Sequence, residues 1–148
     1  MSLIEKLDAD LRQAMIAKDE TKLGVIRFLK SAVKYAAIEK KVQTLADADV
    51  FLVIQKQIKQ RRESIDQFSK AGRKDLADAE TSQVRVLETY LPKQLSGAEL
   101  QTEVQAAVKE TGAVSKKDFG RTMKALTEKL SGRADAKRIS ECLGKLLS

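Results

Sequence analysis

The chain contains no histidine and no tryptophan, one cysteine (Cys142) and one proline (Pro92). Without histidine, a Ser-His-Asp or Cys-His arrangement has no base. One thiol cannot build a disulfide framework or a thiol-rich zinc site within a single chain. It suits a reducing compartment, where its plain role is that of a small apolar packing residue. Aromatic residues are scarce, two Tyr and four Phe, so sequence-specific reading of unstacked bases is not expected. No apolar run approaches membrane-spanning length, and the amino terminus, MSLIEKLDADLRQ, alternates charged with apolar residues instead of forming a signal-peptide core. These absences imply a soluble cytoplasmic protein with no membrane partner. No Walker-type loop and no glycine-rich fingerprint after a strand is present, and the acidic residues are dispersed without metal-ligand spacing. No cofactor, no metal and no catalytic residue is therefore expected.

Positive charge and helical periodicity are what the chain does have. Its 148 residues, enough for one ordinary domain or two very small ones, carry 28 Lys and Arg against 21 Asp and Glu, a net charge of +7. Residues 1–90 contribute +3 and residues 91–148 contribute +4, so the shorter part is the more basic per residue. Such an excess favours a polyanionic partner.

The stretch from Val50 to Gly72 organises the rest. Val50, Ile54, Ile58, Ile65 and Phe68 fall at steps of three or four except for one slot, which Arg61 or Arg62 fills. Lys56, Lys59, Arg61, Arg62, Lys70 and Arg73 make this the most basic part of the chain, and Gly72 offers a left-handed C-cap. Two readings of its charges stand side by side. Lys59–Glu63, Arg62–Asp66 and Asp66–Lys70 are spaced to pair along a solvated face. Alternatively, the cations form a nucleic-acid face.

Helix signals recur along the whole chain. Ser2 and Glu5 form a capping box for a first helix ending near Lys18, with Leu3, Ile4, Leu7, Leu11, Met15 and Ile16 as its stripe. Asp19 caps a second helix to about Lys41, whose Gly24 would allow close packing. Thr44 or Asp47 caps the basic helix, and Asp75 caps a fourth ending near Tyr90. Pro92 then breaks the pattern. Beyond it, Ser96 with Glu99 and Ser115 with Asp118 form two more capping boxes, Gly112 and Gly132 end helices, and Asp135 caps the last one, with Ile139, Leu143, Leu146 and Leu147 as its stripe. No hairpin signal appears. The expected fold is all-α: an amino-terminal bundle of about four helices in residues 1–92 and a three-helix module in residues 93–148.

Two groups of cations are candidate RNA contacts: Arg61, Arg62 and Arg73 in the first part, and Arg121, Lys124, Arg133, Lys137 and Arg138 in the second. Cations and a helix N-terminus suit phosphate contact. Arg133, between the C-cap Gly132 and the N-cap Asp135, is also placed for a structural role, holding carbonyls at the helix end or pairing with Asp118 or Asp135.

These residues also carry a family resemblance. Ile58-Lys59-Gln60-Arg61-Arg62-Glu63-Ser64, Ala71-Gly72-Arg73-Lys74-Asp75-Leu76, Tyr90-Leu91-Pro92 with Gln94-Leu95, Lys117-Asp118-Phe119-Gly120 with Met123-Lys124, and Gly132-Arg133-Ala134-Asp135 with Lys137 together resemble the YqeY family, also called GatB/YqeY domain proteins, over essentially the whole chain. Phe119 and Ala136 depart from the methionine and glycine expected there. The resemblance implies a carboxy-terminal module similar to the tail of the B subunit of the tRNA-dependent amidotransferase, the part associated with gripping tRNA. It also implies the label of carbon–nitrogen ligase with glutamine as amido-nitrogen donor, although the chain lacks the machinery for independent catalysis. Three readings follow: a non-catalytic tRNA- or RNA-binding accessory protein, a helical protein–protein adaptor, or a component of an amidotransferase complex. The partners implied are tRNA and either amidotransferase subunits or another protein.

Overall fold

The computed structural model describes residues 1–147. The chain is all-α: its elements are seven α-helices and one 3₁₀ turn, and no strand occurs among the described residues. The helices are α1 (Leu3–Ala17), α2 (Glu20–Lys40), α3 (Asp47–Lys70), α4 (Lys74–Glu88), α5 (Gly97–Thr111), α6 (Phe119–Lys129) and α7 (Ala136–Leu146), with the 3₁₀ turn (Lys116–Asp118) leading directly into α6. No helix among the described residues is long and apolar enough to cross a membrane. Two compact units divide the chain, Met1–Leu91 and Pro92–Ser148.

In the first unit, α3 packs chiefly on α4 and α1 on α2. The Ser2 hydroxyl accepts from the Glu5 N–H and the Glu5 carboxylate accepts from the Ser2 N–H, both at 3.2 Å, closing the expected capping box. Leu3, Leu7 and Ala14 are buried on α1, but Met15 and Ile16 are 52% and 76% exposed. The expected stripe therefore stops early. Ala14 takes the packing position in the last turn, and Lys18, in the left-handed region at φ 56°, redirects the chain before the residues after it can reach the core. Asp19 caps α2 by accepting from the Lys22 N–H at 3.1 Å. Val25, Ile26, Leu29, Val33 and Ala37 line its buried face. Gly24 lies on the exposed side with nothing near the position a Cβ would occupy, so it serves no close helix approach.

The cap of α3 differs from expectation. Ala46 is the N-cap and makes no side-chain cap bond. The Asp47 carboxylate instead accepts from the Leu3 N–H at 3.0 Å, tying the start of α3 to the start of α1. Asp75 likewise lies inside the first turn of α4, behind the N-cap Arg73, and accepts from the Arg73 guanidinium at 3.2 Å. Val50, Ile54 and Ile58 are buried on α3, where each side chain of this kind contributes about 1.5–3 kcal/mol on leaving water. Gly72 follows α3 at φ 73°, the conformation its lack of a Cβ permits. Tyr90 closes the unit. Its ring is buried and its hydroxyl donates to the Asp10 carboxylate at 2.5 Å; burial first, then Asp10, raises the phenol well above its ordinary pKa.

In the second unit, Leu100, Val104, Leu126, Leu130, Ile139 and Leu143 form the centre of a core shared by α5, α6 and α7. Ser96 and Glu99 close a capping box at 3.1–3.2 Å, and Gly112 ends α5 at φ 67°. The third expected box is displaced. The Asp118 carboxylate accepts from the Val114 N–H at 3.0 Å, and Ser115 caps the 3₁₀ turn rather than α6. Asp135 caps α7, its carboxylate accepting from the Arg138 N–H at 2.8 Å. Leu146 is 39% exposed, whereas Leu147 is buried and completes the α7 stripe.

Candidate functional site

The cations of the first unit are held across helices. Arg61 fills the slot in the apolar stripe of α3: its side chain is 16% exposed against 60% for Arg62. Its Nη1 donates to Glu80 at 3.2 Å and also to the Gln83 side-chain oxygen, both on α4. A half-buried guanidinium next to Ile58 requires such a partner, since an unpaired charge there would be costly to desolvate. Its Cζ also lies 5.6 Å from the centre of the Phe28 ring on α2. Arg62 pairs with Glu88 at 3.0 Å, and Arg73 pairs with Asp75 at 3.2 Å. The ion pairs among the described residues do not include the along-helix pairs Lys59–Glu63, Arg62–Asp66 and Asp66–Lys70. The arginines of α3 reach α4 instead, because α4 packs alongside and offers carboxylates at matching height.

Beside Arg61 lies a cavity of about 290 Å³, lined by Phe28, Gln57, Gln60, Arg61, Ser64 and Glu80. Gln57 is only 5% exposed, and neither its Nε2 nor its Oε1 has a hydrogen-bond partner; Arg61 Nε is also buried and unpartnered. Periodicity alone could not single out Gln57, because a polar residue at that position reads as surface. Its burial follows from α2 and α4 both covering that side of α3.

The candidate residues of the second unit fall into two places. Arg121 and Lys124 lie on the first turns of α6, near Lys116 and Lys117 of the 3₁₀ turn. Arg133 lies in the turn that follows α6, and Lys137 and Arg138 lie on the first turn of α7. Arg121 pairs with Asp118 at 3.2 Å. Lys124 and Lys137 are exposed and take part in no ion pair among the described residues.

Arg133 and Arg138 are built into the turn. The Leu95 N–H donates to the Arg133 carbonyl at 2.9 Å, and Arg138 Nη2 donates to the Leu95 carbonyl at 2.8 Å. Gln94 Nε2 donates to the Gly132 carbonyl at 2.6 Å. The segment before α5 is thus fastened to the α6–α7 turn from three sides. The side chain holding a carbonyl there is that of Arg138, while Arg133 contributes its backbone.

Fold and surface together define an all-helical, basic protein of two compact units. The chain belongs to the Yqey-like protein family, whose profile matches residues 4–147. It is 31% identical over 150 residues to "Altered inheritance of mitochondria protein 41, mitochondrial" of Pyrenophora tritici-repentis, covering 96% of this chain and 81% of that protein. The protein of the same name from Saccharomyces cerevisiae is 28% identical over 145 residues, covering 97% and 69%. With that of Vanderwaltozyma polyspora the identity is 38% over 85 residues, covering 57% and 46%. In that match and others like it the chain spans just under half the length of the curated relative.

Proposed function

We propose that this chain is a non-catalytic RNA-binding accessory protein, with tRNA as the favoured ligand and the smaller unit as the gripping part. The surplus of cations in that unit carries the reading: residues 91–148 hold 11 basic and 7 acidic residues, and Lys124 and Lys137 are exposed and outside its ion pairs. Such cations contact phosphates, which positions an RNA without reading its sequence. The relation to the amidotransferase B-subunit tail, implied by the resemblance, supports tRNA over other RNAs. Arg61, Arg62, Arg73 and Arg121 already hold carboxylates, so they are ranked behind the two lysines as phosphate contacts.

Lys124→Gln together with Lys137→Gln is the variant that tests this. Both positions are exposed, so the helices should be retained in circular dichroism. Affinity for unrelated tRNAs should fall, and the log-log salt slope should flatten by about one unit for each phosphate no longer neutralised. Unchanged affinity and slope in the folded variant would remove these lysines from the interface.

One observation favours a helical adaptor as the second reading. Phe28, Tyr35 and Ile38 form a stripe along α2 and are 58%, 64% and 67% exposed. Such a stripe suits a protein partner, and RNA binding insensitive to salt would bring this reading forward.

A further inference from the structure

We propose that the cavity between α2, α3 and α4 is a recognition pocket for an unpaired nucleobase that presents a carbonyl oxygen beside a ring N–H, as uracil and guanine do. Buried side-chain amides are nearly always hydrogen-bonded, yet Gln57, 5% exposed, has neither donor nor acceptor satisfied. Arg61, one turn further along the same face of α3, has its Nε unpartnered as well. These three atoms are the only buried side-chain nitrogens and oxygens without a partner among the described residues, and the two residues that carry them line one cavity. Leaving each unpaired is a standing cost to stability, which a ligand would relieve.

The pattern of those atoms defines the ligand. Gln57 offers a donor and an acceptor side by side in one plane, which complements a group with an acceptor beside a donor. Arg61 Nε adds a second donor. A carbonyl oxygen has two lone pairs and can accept from Gln57 Nε2 and Arg61 Nε together, whereas a ring nitrogen has one. The amide edge of uracil or guanine therefore satisfies all three atoms, while the amidine edge of adenine or cytosine leaves one unpaired. Phe28 and Arg61, whose Cζ lies 5.6 Å from the centre of the Phe28 ring, both line the cavity, and its volume of about 290 Å³ admits a planar ring. Arg61 and Glu80 offset one another in charge, so the ligand group is neutral. The polar atoms are closed to solvent. Entry requires the pocket wall to swing aside, and Phe28, 58% exposed, is the side chain placed to do so. One charge-neutral pocket lined by a single aromatic side chain thus adds base reading to a chain whose six aromatics spoke against it. For a base carried by RNA the proposal rests on the RNA-binding reading above; for a free nucleoside it does not.

The experiment titrates uncharged nucleosides into the full chain and follows the Gln57 side-chain NH₂ resonances, assigned by their loss in Gln57→Leu. Uridine and guanosine should shift them. Adenosine, cytidine and 3-methyluridine, whose ring nitrogen can no longer donate, should not. Gln57→Leu, followed through the backbone amides of Phe28, Arg61 and Ser64 instead, should abolish their shifts with uridine and raise the melting temperature, because an unsatisfied buried amide is replaced by an apolar group of similar size. Arg61→Lys, which keeps the charge near Glu80 and lacks Nε, should weaken uridine at least several-fold. Oligo-U against oligo-A then separates a base within RNA from a free nucleoside. Because the nucleosides carry no phosphate, their response is independent of Lys124 and Lys137, so the pocket and the phosphate surface fail or stand separately. Stationary Gln57 resonances with every nucleoside, or equal shifts with uridine and 3-methyluridine, would overturn the proposal and leave a cavity holding water alone.

Discussion

Arg138 holds the Leu95 carbonyl with one guanidinium nitrogen while its own backbone N–H is held by Asp135. Removing the guanidinium leaves the carbonyl without that donor, so Arg138→Met should destabilise the small unit by about 1–3 kcal/mol, the cost of removing a charged hydrogen bond to backbone. Denaturant unfolding checks this. Two carboxylates of the same unit work in a comparable way. Asp118 is held below the ordinary carboxylate range chiefly by the Val114 N–H, with Arg121 adding to the effect, and Glu99 chiefly by the Ser96 N–H. A depressed folded-state pKa means stability that is present above the unfolded value near 4 and lost as the pH falls through the folded value. The melting temperature should therefore drop on acidification from about pH 5 to about pH 2. In Asp118→Asn, which keeps an oxygen to accept from Val114 but no longer titrates there, the drop should be smaller. An equal drop would show that Asp118 contributes nothing to the pH dependence.

At the scale of elements, each helix shows how far periodicity reaches. On α2 the buried face follows the apolar spacing from Ile26 to Ala37, but Gly24 was misleading. A glycine in a helix reads as a packing device, and only the neighbouring elements reveal that nothing approaches it. Gly24→Ala should consequently stabilise the protein by about 1 kcal/mol through helix propensity, with no clash to offset it. A lower melting temperature in this variant would point to an unrecognised contact. On α3 the sequence left Arg61 and Arg62 as equal candidates for the gap in the stripe. The crossing of α4 decides for Arg61, because Glu80 and Gln83 lie where its guanidinium ends. Capping boxes were legible at Ser2 and Ser96, whereas that of Ser115 and Asp118 gave way to the nearby Val114 N–H. The single cap expected at Asp47 failed because a backbone group distant in sequence, the Leu3 N–H, takes its carboxylate.

For the whole molecule, the division into Met1–Leu91 and Pro92–Ser148 means that two small cores are held separately. A module of about 60 residues buries a smaller fraction of its surface than a larger domain. A fragment of residues 92–148 should thus keep its helices in circular dichroism but melt below the full chain, and it should keep the salt-dependent part of tRNA binding. Loss of all binding in a folded fragment would move the phosphate contacts to the first unit.

The all-helical class, most helix ends and the outline of both cores follow from the order of the residues alone. Those depend on spacing and on caps within a few residues, where local geometry is set by the chain's own order. Which cations hold partners on other helices emerges only once the helices pack. Arg61 and Arg138 find their partners 19 to 43 residues away, and Gln57 is enclosed by helices distant in sequence. Pairing and burial at such separations depend on which faces the packed helices turn toward one another, and spacing along one helix carries no record of its neighbours.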